Sequence, residues 1–252
     1  MPNNKFSQLL KNRILILDGA MGTEIQKLNF KEEDFRGELF KNYNKELKGN
    51  NDILVLTQPE VIKNIHKAYL NAGADIIETN SFNATSVSMS DYGLEDYVTE
   101  INRAAVRIAK EAAKEFSTID KPRFVAGSVG PTNKSCSISP DVNNPAARAI
   151  TYDELFNAYY EQIEVLIEEG VDIILLETGF DTLNLKCAID VVETIFKEKG
   201  IELPLMVSAT IADNAGRTLS GQTLEAFAAS SSHAPITSVG INSSFGAKEL
   251  LP

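Results

Sequence analysis

Cysteine and histidine are scarce. The 252 residues hold two of each: Cys136 and Cys187, His66 and His233. Two cysteines so far apart form neither a disulfide framework nor a CxxC redox or zinc pair. With so few soft ligands, the sequence predicts no zinc site built from this chain alone. Positive charge is also short. Lys and Arg total 24 against 35 Asp and Glu, a formal charge of −11. A nucleic-acid binder carries the reverse balance, so that role is excluded. No apolar run approaches the roughly 20 residues that cross a bilayer. The opening MPNNKFSQLLKNR lacks the apolar core and cleavage site of an export signal. The expectation is a cytosolic chain with no membrane partner. No Walker A sequence or Rossmann fingerprint is present, which leaves nucleotide binding without support.

What is present has globular proportions, 43% hydrophobic and 23% charged. Short β-branched apolar runs lie at residues 14–17, 76–78, 124–129, 173–177, 205–209 and 238–242. They are continuous, not alternating, as in strands buried on both faces of a parallel sheet. Helical periodicity fills the intervals. Pro59 opens one helix and Gly73 closes it. A long helix is predicted from about Glu95 to Phe116. Thr151 and Glu154 form a capping box for a helix closed by Gly170, and Asp181 caps another closed by Gly200. A shorter helix follows Thr223. Residues 70–79, LNAGADIIET, and residues 167–178, IEEGVDIILLET, repeat one grammar: helix end, Gly, Asp, apolar strand, Glu-Thr.

Alternation of this kind predicts a parallel α/β fold. Six βα units fill about 240 residues, whereas a closed (β/α)8 barrel of this spacing takes more than about 300. The expectation is therefore an open doubly wound sheet or a barrel with about six of its eight units. No linker marks a second domain, so residues 1–252 are read as one domain. Strands one and six would be unpaired edges, which predicts marginal stability or self-association.

Polar and glycine-rich residues collect just after the strands, where parallel α/β folds bind ligands. Asp18 and Glu177 are the leading polar candidates: two strand-end carboxylates suit an ammonium ligand, although either can simply cap the next turn. Gly19 and Gly22 allow backbone amides to approach a ligand carboxylate. His66, between Lys63 and Lys67, reads as a solvated helix face, and His233 as a loop or helix end. Cys187 reads as packing. Cys136 sits in a serine-rich loop and reads as exposed, with no adjacent base to activate it. The acidic runs at 32–34 and 168–169 read as solvated faces.

Seven ordered stretches carry a resemblance: DGAMGT, ETNSFNAT, GSVGPTN, SISPDV, LLETGFDTLN, ADNAGRTLSGQ and GINSSFGAKEL. Together, over nearly the whole chain, they resemble the homocysteine-binding domain of cobalamin-dependent methionine synthase. SISPDV and GRTLSGQ favour that enzyme over the betaine- and S-methylmethionine-dependent homocysteine methyltransferases. The resemblance implies a (β/α)8 TIM-type barrel, truncated here before its last two units. It implies homocysteine at the C-terminal mouth, its ammonium at Asp18 and Glu177. The substrate carboxylate would meet backbone amides of Gly19, Ala20, Met21 and Gly22. Asn80, Ser81 and Ser128 would line the same mouth.

The resemblance also implies a zinc ion held by three cysteine thiolates, with homocysteine sulfur in the open position. Cobalamin and methyltetrahydrofolate would be carried by other domains of the parent protein. Two departures stand out. The family's first zinc cysteine falls at Ser243, and the other two fall in a Gly-Gly-Cys-Cys motif beyond Pro252. A neutral hydroxyl is a poor substitute for a thiolate at zinc. The expectation is a chain that binds no zinc tightly and transfers no methyl group by itself. A metal-free homocysteine or amino-acid binder is the competing reading.

Overall fold

The computed structural model describes residues 5–213, 215–246 and 248–250. Asn214 of ADNAGRTLSGQ, Ala247 of GINSSFGAKEL, the first four residues and the final two lie outside the described residues. The helices are α1 (Lys5–Leu10), α2 (Met21–Lys27), α3 (Glu32–Arg36), α4 (Leu54–Thr57), α5 (Pro59–Ala72), α6 (Ser86–Met89), α7 (Val98–Phe116), α8 (Tyr152–Glu168), α9 (Thr182–Lys199) and α10 (Leu224–Ser231). The strands are β1 (Ile76–Glu78), β2 (Phe124–Val129), β3 (Ile173–Gly179), β4 (Leu205–Ala209) and β5 (Ile236–Ile241). They pair in the order β1-β2-β3-β4-β5, all parallel. This is the α/β architecture expected, of TIM-barrel type. Among the described residues no helix is long and apolar enough to cross a membrane.

The helix ends are set by local chemistry. Thr151 Oγ1 accepts from Glu154 N at 3.3 Å while Glu154 Oε2 accepts from Thr151 N at 2.9 Å, a reciprocal cap on α8. Asp181 Oδ1 accepts from Leu183 N at 2.9 Å and starts α9. Gly73 closes α5 at φ 114°, a backbone conformation that a Cβ would strain. The long helix differs from expectation at its start. Residues Glu95–Tyr97 form a tighter 3-10 turn, and the α-helix begins at Val98.

Alternation along the strands sorts side chains onto two faces. Ile77, Val125, Val129, Ile174, Leu176, Val207 and Ala209 pack outward with Leu166, Tyr159, Ile189 and Val192 of the helices. Ile76, Phe124, Ala126, Ile173 and Leu175 point the other way and pack around Phe6, with Leu15, Leu17 and Met206 against them. Phe6 meets Phe124 edge-on at 5.2 Å and fills the N-terminal end of this inner face. Leu15, Leu17, Ile76, Met206 and Ser238 line one groove, so the sheet curls until its first and last segments face the same space.

Residues 14–17 correct one expectation. They form a single parallel bridge, Leu17 to Ile76, instead of a strand. β1 is only three residues long and offers too short a ladder. Asp75 does the fastening: Arg13 donates two bonds of 2.8 Å to its carboxylate, and Ile16 N donates at 2.9 Å. The same device recurs two units later, where Val125 N donates to Asp172 Oδ2 at 2.8 Å. The internal repeat thus has a mechanical meaning: each Asp ties its own strand to the preceding segment. The last strand begins at Ile236, two residues before the expected start.

Three surface expectations also fail. His66 is fully buried, and neither ring nitrogen has a hydrogen-bond partner among the described residues. Lys63 and Lys67 reach Glu111 and Glu115 of α7, so the face that reads as wet is covered by a neighbouring helix. Cys136 is buried, its N–H donating to Asn184 Oδ1 at 2.9 Å. In the acidic runs, Glu32 accepts from Leu47 N and Lys48 N, and Glu169 bridges Arg103 and Arg107. These two carboxylates anchor chain segments instead of merely meeting solvent.

Candidate functional site

The inner face changes character along its length. At its N-terminal end the register stacks Ile76, Phe124, Ala126, Ile173 and Leu175. Two residues further on, the same alternation delivers Glu78, Ser128, Glu177 and Ser208. The polar end is the C-terminal mouth. Asp18 joins it through its main chain, Asp18 N donating to Ile76 O at 2.9 Å, and its side chain, Oδ2 accepting from Glu78 N at 3.1 Å. Asp18 therefore does not cap α2, whose first turn has no side-chain cap. Glu177 Oε1 accepts from Ser128 Oγ, which fixes that carboxylate against β2. Neither is the helix cap that a bland reading of the sequence allows.

A β-bulge re-aims the end of β3. Leu176 pairs with Val207 and Gly179 with Ala209, so Glu177 and Thr178 together face Ser208. Thr178 takes φ 61°, and its N–H donates to Ser208 Oγ at 3.2 Å. Asn242 Nδ2 donates to Thr178 Oγ1 at 2.7 Å and its Oδ1 accepts from Ser208 Oγ at 3.0 Å, closing the network. A hydroxyl network also supports the β1 loop. Ser81 Oγ donates to Ser128 O, Ser128 N donates to Thr79 Oγ1, and Asn80 Nδ2 donates to Asn51 O. Asn80 and Ser81 are buried by these contacts and hold the loop in place. Gly130 lets that loop come close: Gly130 N donates to Phe82 O at 2.9 Å, and a Cβ there would lie 2.5 Å from the same oxygen.

The electrostatics centre on three carboxyl groups. Burial pushes Asp18 up to about 8, with the charge of Glu177 adding to the effect. Burial raises Glu78 well above the usual carboxylate range, and Glu177 and Asp18 raise it further. Burial raises Glu177 too, against the Ser128 hydrogen bond. No cationic side chain acts on any of the three. Asp18 Oδ1 is buried with no partner among the described residues. Sequence reasoning misses Glu78, although the repeat that aligns 75–79 with 172–178 places a Glu-Thr at both strand ends.

Gly19, Ala20, Met21 and Gly22 form the rim beside Asp18. The Tyr69 ring lies 3.1 Å from where a Cβ on Gly19 would sit, and Tyr69 Oη donates to Ala20 O at 3.3 Å. Met21 and Gly22 open α2. Ser243 stands apart, beyond β5, exposed, with φ 57°. Its hydroxyl pairs with Thr210 Oγ1 at 3.0 Å, which also meets Ser244 Oγ at 3.1 Å. Cys136 and Cys187 are buried among the helices, their thiols pushed up by burial. Among the described residues no three His, Cys, Asp or Glu side chains are arranged to hold a metal ion. The donor set at Ser243, neutral hydroxyls only, does not fit zinc.

Known proteins share this fold. The chain is similar in structure to the homocysteine methyltransferase MmuM from Escherichia coli in its metallated form, at 22% identity and a TM-score of 0.73, over 95% of this chain and 78% of that one. The apo form of MmuM matches at 21% identity and a TM-score of 0.68, over 98% of this chain and 78% of that one. These likenesses establish the fold. The model of the homocysteine S-methyltransferase family matches residues 15–252, which is nearly all of the sequence, and the chain belongs to that family.

Proposed function

We propose that this chain is a homocysteine-binding domain, spanning residues 1–252, that takes its ligand at the C-terminal mouth. The carrying observation is a half-buried group of carboxyls with no cation to balance them. An α-amino group supplies the missing charge, with Asp18 and Glu177 as its partners. Backbone amides of Gly19, Ala20, Met21 and Gly22 receive the α-carboxylate. Ser128 orients Glu177 through its hydroxyl. Asn80 and Ser81 keep the β1 loop against this site.

The reaction of the parent enzyme is methyl transfer to homocysteine sulfur. The SISPDV and GRTLSGQ stretches favour a methionine synthase, with cobalamin and methyltetrahydrofolate on other domains. Relatives using betaine or S-methylmethionine are the alternative donor class. Ser243 does not fit zinc, because it offers a neutral hydroxyl already shared with Thr210. That same observation favours a second reading, binding of homocysteine without turnover. Calorimetry in zinc-free buffer tests both parts. One homocysteine per chain is expected, lost in the Asp18→Asn, Glu177→Gln double variant. A wild-type chain that binds no homocysteine overturns the site. Methionine formed from methylcobalamin, or stoichiometric zinc surviving dialysis, overturns the reading of an inactive metal centre.

A further inference from the structure

The mouth contains one carboxyl more than an ammonium needs. Asp18 and Glu177 each receive a protein hydrogen bond on an oxygen: Glu78 N–H donates to Asp18 Oδ2, and Ser128 Oγ–H donates to Glu177 Oε1. Such bonds favour the ionised form. The side chain of Glu78 receives none among the described residues. It sits at the end of β1, two residues after Ile76 on the inner face, and β1 lies between the segment leading to Asp18 and the strands β2 and β3. The groups facing it are Asp18 from the segment before α2, Glu177 from β3, and Tyr69 from α5, whose phenol feels Glu78 and Asp18. No lysine, arginine or histidine acts on it. Three carboxyls at close range in a half-buried, cation-free site do not all ionise. Asp18 Oδ1, buried and unpartnered, is an acceptor waiting for a proton donor.

Resting on the homocysteine reading above, we propose that Glu78 is the proton store of this site. It is neutral when the mouth is empty and releases its proton to solvent when an amino-acid ammonium arrives. Ligand binds in exchange for a proton, so the charge of the mouth changes little. The empty site is thereby spared the repulsion of three carboxylates, and the filled site gains the full charge of its acidic wall. The direction of the Glu78 shift, upward through burial and two like charges, agrees with this role. Glu78 is a positioning residue in this scheme, acting on the ammonium through the charge it acquires.

The test is calorimetry of the full chain with reduced L-homocysteine in phosphate and in Tris, whose ionisation enthalpies differ widely, between about pH 6 and pH 8.5. The wild type is expected to release about one proton more than Glu78→Gln, and its affinity to rise by up to about tenfold per pH unit near neutrality. The variant's profile is expected to be flatter, meeting the wild type near the acid end. Any proton lost from the ligand thiol is common to both proteins and cancels. Equal proton counts and parallel profiles overturn the proposal while leaving the homocysteine site standing. A wild type that binds no homocysteine overturns both. If Glu78→Gln fails to fold by circular dichroism, Glu78→Asp replaces it and must retain the release. A wild-type count of zero overturns the proposal in any case.

Discussion

The two halves of the mouth are built from opposite materials. On the side of Asp18, β1 and β3, carboxyl groups are half-buried and raised in pKa, and Asp18 and Glu177 are held by hydrogen bonds from neighbouring segments. On the side of β4 and β5, Thr210, Ser243 and Ser244 are neutral hydroxyls bonded to one another, and both serines take positive φ. The acidic half is written into strand register, so every carboxyl is also part of the sheet's packing. The neutral half follows strand exits, where a side chain can change without disturbing the core. In the reading proposed above, recognition of an amino acid belongs to the acidic half and is separable from the handling of its sulfur.

The strongest way to break the comparison is to neutralise one wall of the acidic half. Glu177→Gln keeps the shape and the contact with Ser128 but removes a charge. Removing one partner of a buried charged pair costs about 2–5 kcal/mol. Homocysteine affinity is expected to fall on the order of 100-fold by calorimetry. A change smaller than about threefold would move the ammonium site elsewhere.

The neutral half gives a smaller and differently directed effect. Asn242 ties Thr178 to Ser208 across two strands. Asn242→Ala leaves the Thr178 and Ser208 hydroxyls without that partner, at a cost of about 1–3 kcal/mol. The melting temperature is expected to drop while homocysteine affinity stays within a few-fold, since Ser128, not Asn242, holds Glu177. Equal losses of stability and affinity would show that the two halves are one unit.

Much of this contrast is legible in the sequence. Continuous apolar runs announce buried parallel strands, and Thr151, Asp181, Gly73 and Gly200 place helix ends within a residue or two. Asp18 and Glu177 stand out because carboxylates at strand ends are conspicuous. Glu78 hides because it opens a polar loop, and only the repeat exposes it. The bulge at Glu177 and Thr178 is not legible, since it depends on Ser208 of a neighbouring strand. His66 misleads because local sequence shows Lys63 and Lys67 but not the acidic face of α7 that covers them. The folded neighbours, not the segment itself, decide each of these.

Titration separates the acidic half from the rest of the molecule at still smaller cost. Asp18 is raised to about 8, far above its ordinary value of 3.8, so between those values the folded chain binds more protons than the unfolded one. Stability then falls as pH rises through that window. Asp52, buried and raised to about 7, has the same sign. His66 opposes them: burial lowers it to about 4, so stability is lost as pH falls from about 6.5 towards that value. The ligand-free chain is expected to melt a few degrees higher near pH 6 than near pH 8. Asp18→Asn is expected to flatten that difference. An unchanged slope would assign it to Asp52, Glu78 and Glu177.

The smallest expected effect is the most informative about the neutral half. Ser243→Cys restores a thiol at the one position where the family resemblance places a zinc ligand. A structural or catalytic zinc needs at least three protein ligands. Around Ser243 the hydroxyl partners are Thr210 and, through it, Ser244. Among the described residues no cluster of three suitable side chains exists for a new thiolate to join. The acidic half does not serve either: Asp18 and Glu177 are engaged by Glu78 N–H and Ser128, and their ionised forms are disfavoured by burial. Dialysed Ser243→Cys protein is therefore expected to retain far less than one zinc per chain by elemental analysis, with homocysteine affinity unchanged. One zinc per chain would show that the two halves share ligands after all, and the separation between recognising the amino acid and activating its sulfur would fall.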